Sequence, residues 1–79
     1  MNLAQATAQR TKELLFKNNM TQYRLIKESC LDKTTQSLFK NKTKDIKLST
    51  IFAIASVFNM SLSEFFNVAY FDNNEIDQL

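Results

Sequence analysis

The chain of 79 residues contains no glycine, no proline and no histidine, and it has a single cysteine. Each absence removes a class of structure or chemistry. β-Hairpins and tight loops normally recruit glycine and proline, so a chain without either is expected to be almost wholly helical. Without glycine there is no P-loop and no dinucleotide-binding fingerprint. Without histidine, and with one cysteine, the usual zinc sites cannot be assembled. A lone cysteine excludes an intramolecular disulfide and fits a reducing cytosol. The eight acidic residues show no spacing that would place a carboxylate pair in a pocket, so no enzyme, cofactor or metal is expected. Long apolar runs are missing too. The longest in the apolar segment 51–71 is Ile51–Ala55, far short of a bilayer span. With no basic residue around it, that segment is also a poor binder of anionic membrane. The opening MNLAQATAQRTKELL is amphipathic and lacks the apolar core of a secretory signal. A soluble, cytoplasmic protein with no membrane partner is expected.

What is present is an uneven distribution of charge. All ten basic residues lie before position 48, among only four acids, giving that part a net charge of +6. The remainder has four acids and no base, a net −4. The whole-chain value of +2 therefore conceals a dipolar molecule whose basic part is the electrostatic footprint of a nucleic-acid binder. The length suits one small domain, spanning residues 1–79, with one modest core.

Residues 20–44, MTQYRLIKESCLDKTTQSLFKNKTK, carry the most information. Thr21 and Gln22 open a short helix with Leu25 and Ile26 as apolar positions a turn from Tyr23. Ser29-Cys30-Leu31 supplies a three-residue break. Asp32 is a good N-cap for a second short helix from Lys33 to about Lys40, with Leu31 and Phe39 pointing inward. Two short helices joined by a tight turn, over about residues 21–40, form a helix-turn-helix. Its second helix is narrow enough for the major groove of DNA. Lys33, Thr34, Ser37 and Leu38 are its outward positions, and Lys40, Lys42 and Lys44 follow where phosphates would lie. The plainer reading is an αα-hairpin with a solvated polar face.

The rest of the pattern predicts three more helices, five in all. The first runs from about Leu3 to Asn18, capped by Asn2 or an early residue, with Thr11, Leu14 and Leu15 inward. A polar, lysine-rich loop covers about 41–47. The fourth helix begins near Ser49, whose hydroxyl can cap it, and carries Ile51, Ile54, Ala55 and Phe58 at spacings of three and four. Asn59-Met60 closes it. Ser61 or Ser63 caps the fifth, with Glu64 in its first turn, where a negative charge suits the helix dipole. Leu62, Phe65, Phe66 and Val68 are its candidates for burial, and residues 69–79 form a tail.

Several stretches together resemble the lambda-repressor-like helix-turn-helix family (the Cro/CI or XRE group of bacterial and phage regulators). These are Arg10-Thr-Lys-Glu-Leu-Leu, Met20-Thr-Gln-Tyr-Arg-Leu, Leu48-Ser-Thr-Ile and Met60-Ser-Leu-Ser-Glu-Phe-Phe. The resemblance covers about residues 10–67. It implies a compact all-α five-helix domain and a sequence-specific DNA-binding transcriptional regulator, a repressor acting as a homodimer on a two-fold operator. It implies double-stranded DNA as partner and a cytoplasmic place, at the bacterial nucleoid or encoded by a phage or mobile element. By the same resemblance Gln22 holds a phosphate and Tyr23 reaches the sugar-phosphate edge. Lys33 and Thr34 take the first base-reading positions, and Leu38 a later one against a thymine methyl. Thr35 contacts phosphate, and Asn41, Lys42, Thr43 and Lys44 follow the backbone.

Three positions depart from the family pattern. Cys30 stands where the turn usually has glycine, Gln36 falls on a normally aliphatic position, and the loop 41–47 lacks the common glycine and proline. Either Gln36 bonds across the core, or the helix is rolled so that Leu38 turns further inward. The aromatic residues have competing readings. Phe16 covers a corner of the core or marks a partner surface. Phe65, Phe66, Tyr70 and Phe71 pack at the core and C-terminus or line a ligand cage, and Phe66, Tyr70 and Phe71, read as unpaired rings, are the expected dimer contact. Cys30 reads as a small turn residue. The competing function is a protein-interaction module, an antitoxin-like or phage-encoded adaptor that retained the fold. Leu38 on the reading face and the acidic, aromatic C-terminal part favour it.

Overall fold

The structure is a computed structural model and describes residues 1–29, 38–40 and 45–72. Among them lie four bounded α-helices: α1 (Leu3–Lys17), α2 (Gln22–Ser29), α3 (Leu48–Val57) and α4 (Leu62–Phe65). A single 3-10 turn, Ala69–Phe71, follows, and no strand occurs among the described residues. Five helices were expected. Of the expected third, only residues 38–40 are described, and 38 and 39 are helical. The expected break at Cys30 and Leu31, the Asp32 cap, Gln36 and the tail beyond Asp72 lie outside the described residues.

α1 starts where the sequence places it. The Asn2 side chain accepts from the Gln5 N–H at 2.7 Å, and the Gln5 side chain accepts from the Asn2 N–H at 2.9 Å, a reciprocal capping box. Its inner face is built from small residues: Ala4, Ala6, Thr7, Ala8 and Thr11 are buried together with Leu14 and Leu15. Two fully buried threonines would orphan their hydroxyls, but each donates one turn back. Thr7 bonds the Leu3 carbonyl at 2.9 Å and Thr11 the Thr7 carbonyl at 2.7 Å.

α1 and α3 end by the same device. Asn19 and Asn59 take left-handed backbone, with φ of 53° and 56°. The Met20 N–H reaches the Leu15 carbonyl at 2.8 Å, and the Met60 N–H reaches Ala55 at 3.0 Å. The Asn19 and Asn59 N–H groups bond Phe16 and Ser56, completing two Schellman turns. Asparagine takes the place of the missing glycine, since its short polar side chain tolerates this conformation best after glycine. Each methionine then packs on the core, and the next residue, Thr21 or Ser61, opens the following helix. The Thr21 hydroxyl accepts from the Arg24 N–H at 3.2 Å. Ser61, rather than Ser63, forms a capping box with Glu64, which holds the Glu64 carboxyl below its ordinary range, through the Ser61 backbone N–H first and its hydroxyl second.

α3 corrects one expectation. It starts at Leu48 with Lys47 as N-cap and no side-chain cap bond, so Ser49 lies inside the helix. Its inward residues are Thr50, Ile51, Ile54 and Ala55, and Phe58 is half-buried at its end. The core joins these to Ala4, Ala8, Leu14 and Leu15 of α1, to Leu25 of α2, to Leu38 and to Phe65 of α4. α2 packs on α3, α3 on α4, and the 3-10 turn on α1.

Candidate nucleic-acid interface

The Asn19 turn aims α2 so that its first turn faces solvent. Gln22 and Tyr23 are exposed, Tyr23 at 74%, and the Gln22 amide has no partner among the described residues. A free amide beside the unpaired N–H groups of a helix start is suited to an anion. Arg24 and Glu28 pair along the same helix at 3.1 Å, an exposed ion pair of little energetic weight.

At the other end of the motif, Leu38 overturns its expected role. It is 1% exposed and belongs to the core, so it has no surface to offer a thymine methyl. Leu38 therefore turns inward, while Gln36, the other half of that expectation, lies outside the described residues. Phe39, expected inward, is half-buried, and the Lys12 ammonium lies 5.9 Å from its ring centre. Lys40 is exposed. Lys33, Thr34, Thr35, Ser37, Asn41, Lys42, Thr43 and Lys44 lie outside the described residues.

One basic residue of the +6 part is turned inward. Arg10 donates through Nε to the Phe65 carbonyl at 2.8 Å and through its terminal nitrogen to the Glu64 carbonyl at 3.0 Å. Its guanidinium also lies 5.9 Å from the Phe65 ring centre. It caps the C-terminal carbonyls of α4, where a cation suits the dipole, and ties α1 to α4. Nothing in the residue pattern announces this bond, because a backbone carbonyl acceptor carries no residue identity.

The aromatic residues proposed for a dimer contact are already occupied. The Phe66 and Phe71 rings meet edge-on with centres 5.1 Å apart, and Phe71 also lies 6.2 Å from the buried Phe65 ring. Tyr70 stacks obliquely on Phe71, and its hydroxyl donates to the Glu13 carboxylate. Phe66, Tyr70 and Phe71 are therefore not unpaired; they close the fold. Phe16 corrects the opposite way, standing 91% exposed at the end of α1 instead of covering the core.

These features define a helical domain whose basic part contains two short helical stretches, α2 and residues 38–39, bracketing the expected turn. The sequence model of the Cro/C1-type HTH DNA-binding domain matches residues 10–69, and the chain belongs to that family of helix-turn-helix transcription regulators. No curated protein and no solved structure matches it significantly. No helix among the described residues is long and apolar enough to cross a membrane.

Proposed function

We propose that the chain is a sequence-specific transcriptional repressor. In this reading the helix expected over 33–40 enters the major groove, and two copies occupy a two-fold operator. The family match over residues 10–69 carries the proposal; the concentration of all ten bases before position 48 supports it. Lys33, Thr34 and Ser37 read base edges. Gln22, Tyr23, Thr35, Asn41, Lys42, Thr43 and Lys44 hold the backbone. Leu38 leaves the base-reading set. Its burial also removes one of the two features that favoured a protein-interaction module, since no leucine is then displayed on the reading face.

The test is a gel shift with the DNA upstream of the protein's own gene, in excess random competitor. A complex that resists random competitor but yields to the unlabelled upstream fragment is expected. Equal competition by both DNAs would refute sequence-specific control of that region.

A further inference from the structure

The face of α3 turned away from the core is unlike an ordinary solvated helix surface. Leu48 and Phe52 stand 59% and 57% exposed. Spaced by four residues, they lie in one row with exposed Ser56. From Leu48 to Ser63 the sequence holds no charged residue. An exposed helix normally carries charge on its outer face; this one offers a leucine, a phenylalanine and a serine.

We propose that this row is where two copies of the chain meet, α3 against α3, antiparallel across a two-fold axis at Phe52. The spacing is self-complementary about that residue. With Phe52 against its equivalent, Leu48 of each copy falls over Ser56 of the other, a large side chain over a small one. Burying Ser56 there leaves no orphaned hydroxyl, because its Oγ already donates to the Phe52 carbonyl at 2.8 Å. Charge favours the antiparallel sense. Lys47 sits at the N-cap of its own helix, the wrong end for a cation, and α3 has no acid in its first turn and no base in its last. An antiparallel copy brings each Lys47 towards the negative end of the opposite helix.

Area sets the strength. Leu48 and Phe52 leave on the order of 200 Å² exposed per copy, against ~800 Å² per partner in a standard interface. The pairing is therefore weak in free solution. Two copies held side by side on DNA experience an effective concentration of about 1 mM, enough to complete it. The inference supplies the contact that the repressor reading needs, and its test contains no DNA, so either can fail without the other.

The experiment is sedimentation equilibrium of the full chain up to about 1 mM, for wild type, Phe52→Glu, Phe52→Lys and an equimolar mixture of the two variants. Thermal melting checks that each variant is folded. Wild type should show a concentration-dependent dimer and each single variant should stay monomeric. The mixture should associate more strongly than either variant alone, because opposite charges then face each other across the axis. Ser56→Arg, on an exposed position, should also abolish the dimer and serves if a Phe52 variant unfolds. A wild-type chain monomeric at about 1 mM would overturn the proposal, as it would if the face serves a different protein. Dimers of unchanged strength in Phe52→Glu or Ser56→Arg would place the contact elsewhere. A mixture that associates no more strongly than either variant alone would remove Phe52 from the axis.

Discussion

Asn19 and Asn59 end α1 and α3 with matching left-handed turns, φ 53° and 56°, each followed by a methionine whose N–H reaches back five residues. Two helix ends that most chains would give to glycine are here given to asparagine. Asn19→Ala and Asn59→Ala should each destabilise the domain by about 1 kcal/mol, since a Cβ without a local polar partner fits this conformation poorly. The glycine variants should stay within about 0.5 kcal/mol of wild type. Urea denaturation decides the matter, and equal stabilities for the alanine and glycine variants would count against it.

Leu38 distinguishes a core residue from a base reader. Its burial predicts that Leu38→Ala costs ~2–5 kcal/mol of stability, as other large-to-small core substitutions do. A base-reading leucine would instead leave the denaturation midpoint unchanged and lower only discrimination between DNA sequences.

Arg10 should behave as a structural residue despite its charge. Arg10→Ala removes two charge-assisted hydrogen bonds to α4 and should cost about 1–3 kcal/mol. Arg10→Lys keeps the charge but loses the fork, so most of the loss should remain. Measured on folded protein, neither variant should change the salt dependence of DNA binding.

Tyr70 gives the domain an alkaline sensitivity. Burial first, then its hydrogen bond to Glu13 and that group's charge, push the phenol above its ordinary value near 10, with Arg10 opposing. The folded state thus holds the proton more tightly than the unfolded chain. The resulting stabilisation is complete below pH ~10 and is lost as pH rises beyond it. Denaturation series from pH 8 to 11 should show a decline in wild type that is shallower in Tyr70→Phe. Parallel curves would mean that Tyr70 does not titrate differently on folding.

Base and backbone contacts separate on DNA. If Lys33 and Thr34 read bases, alanine at either should lower discrimination between operator and random DNA by ~1–3 kcal/mol. Lys42→Ala or Lys44→Ala should weaken binding to all sequences and reduce the salt slope by about 0.9 per lost phosphate contact. Uniform weakening by Lys33→Ala would move that residue to the backbone set.

The helices were legible in the sequence wherever periodicity or a cap spoke for them. Asn2, Ser61 and the Ile51–Ile54–Ala55 stripe all stand where the pattern put them. Which of Leu38 and Phe39 turns inward was not legible. Neighbouring positions on a helix are ~100° apart, so Leu38 and Phe39 flank one edge and a stretch of eight residues leaves the phase undecided. The structure buries Leu38 fully and Phe39 by half. Ser49 was misjudged as a cap because its hydroxyl qualifies chemically, yet extended backbone at Lys47 starts the helix earlier. The stop at Asn59-Met60 was legible, and its counterpart could have been found from it: Asn-Met-Thr at 19–21 and Asn-Met-Ser at 59–61 are one signal written twice. The contacts of Arg10 with α4 and of Glu13 with Tyr70 span 54 to 57 residues and leave no local trace.

That span has a consequence during synthesis. Glu13 is translated 57 residues before Tyr70, an interval of about 3–11 s at ordinary elongation rates. Through most of that interval α1 has neither its carboxylate's phenolic partner nor the α4 carbonyls that Arg10 caps. Its buried face can meet Leu25, Ile51 and Ile54 earlier, but the polar ties that fix it to the C-terminal elements must wait. Both ties of α1 are thus late ones, and a nascent chain stalled before residue 64 would hold α1 without either of them.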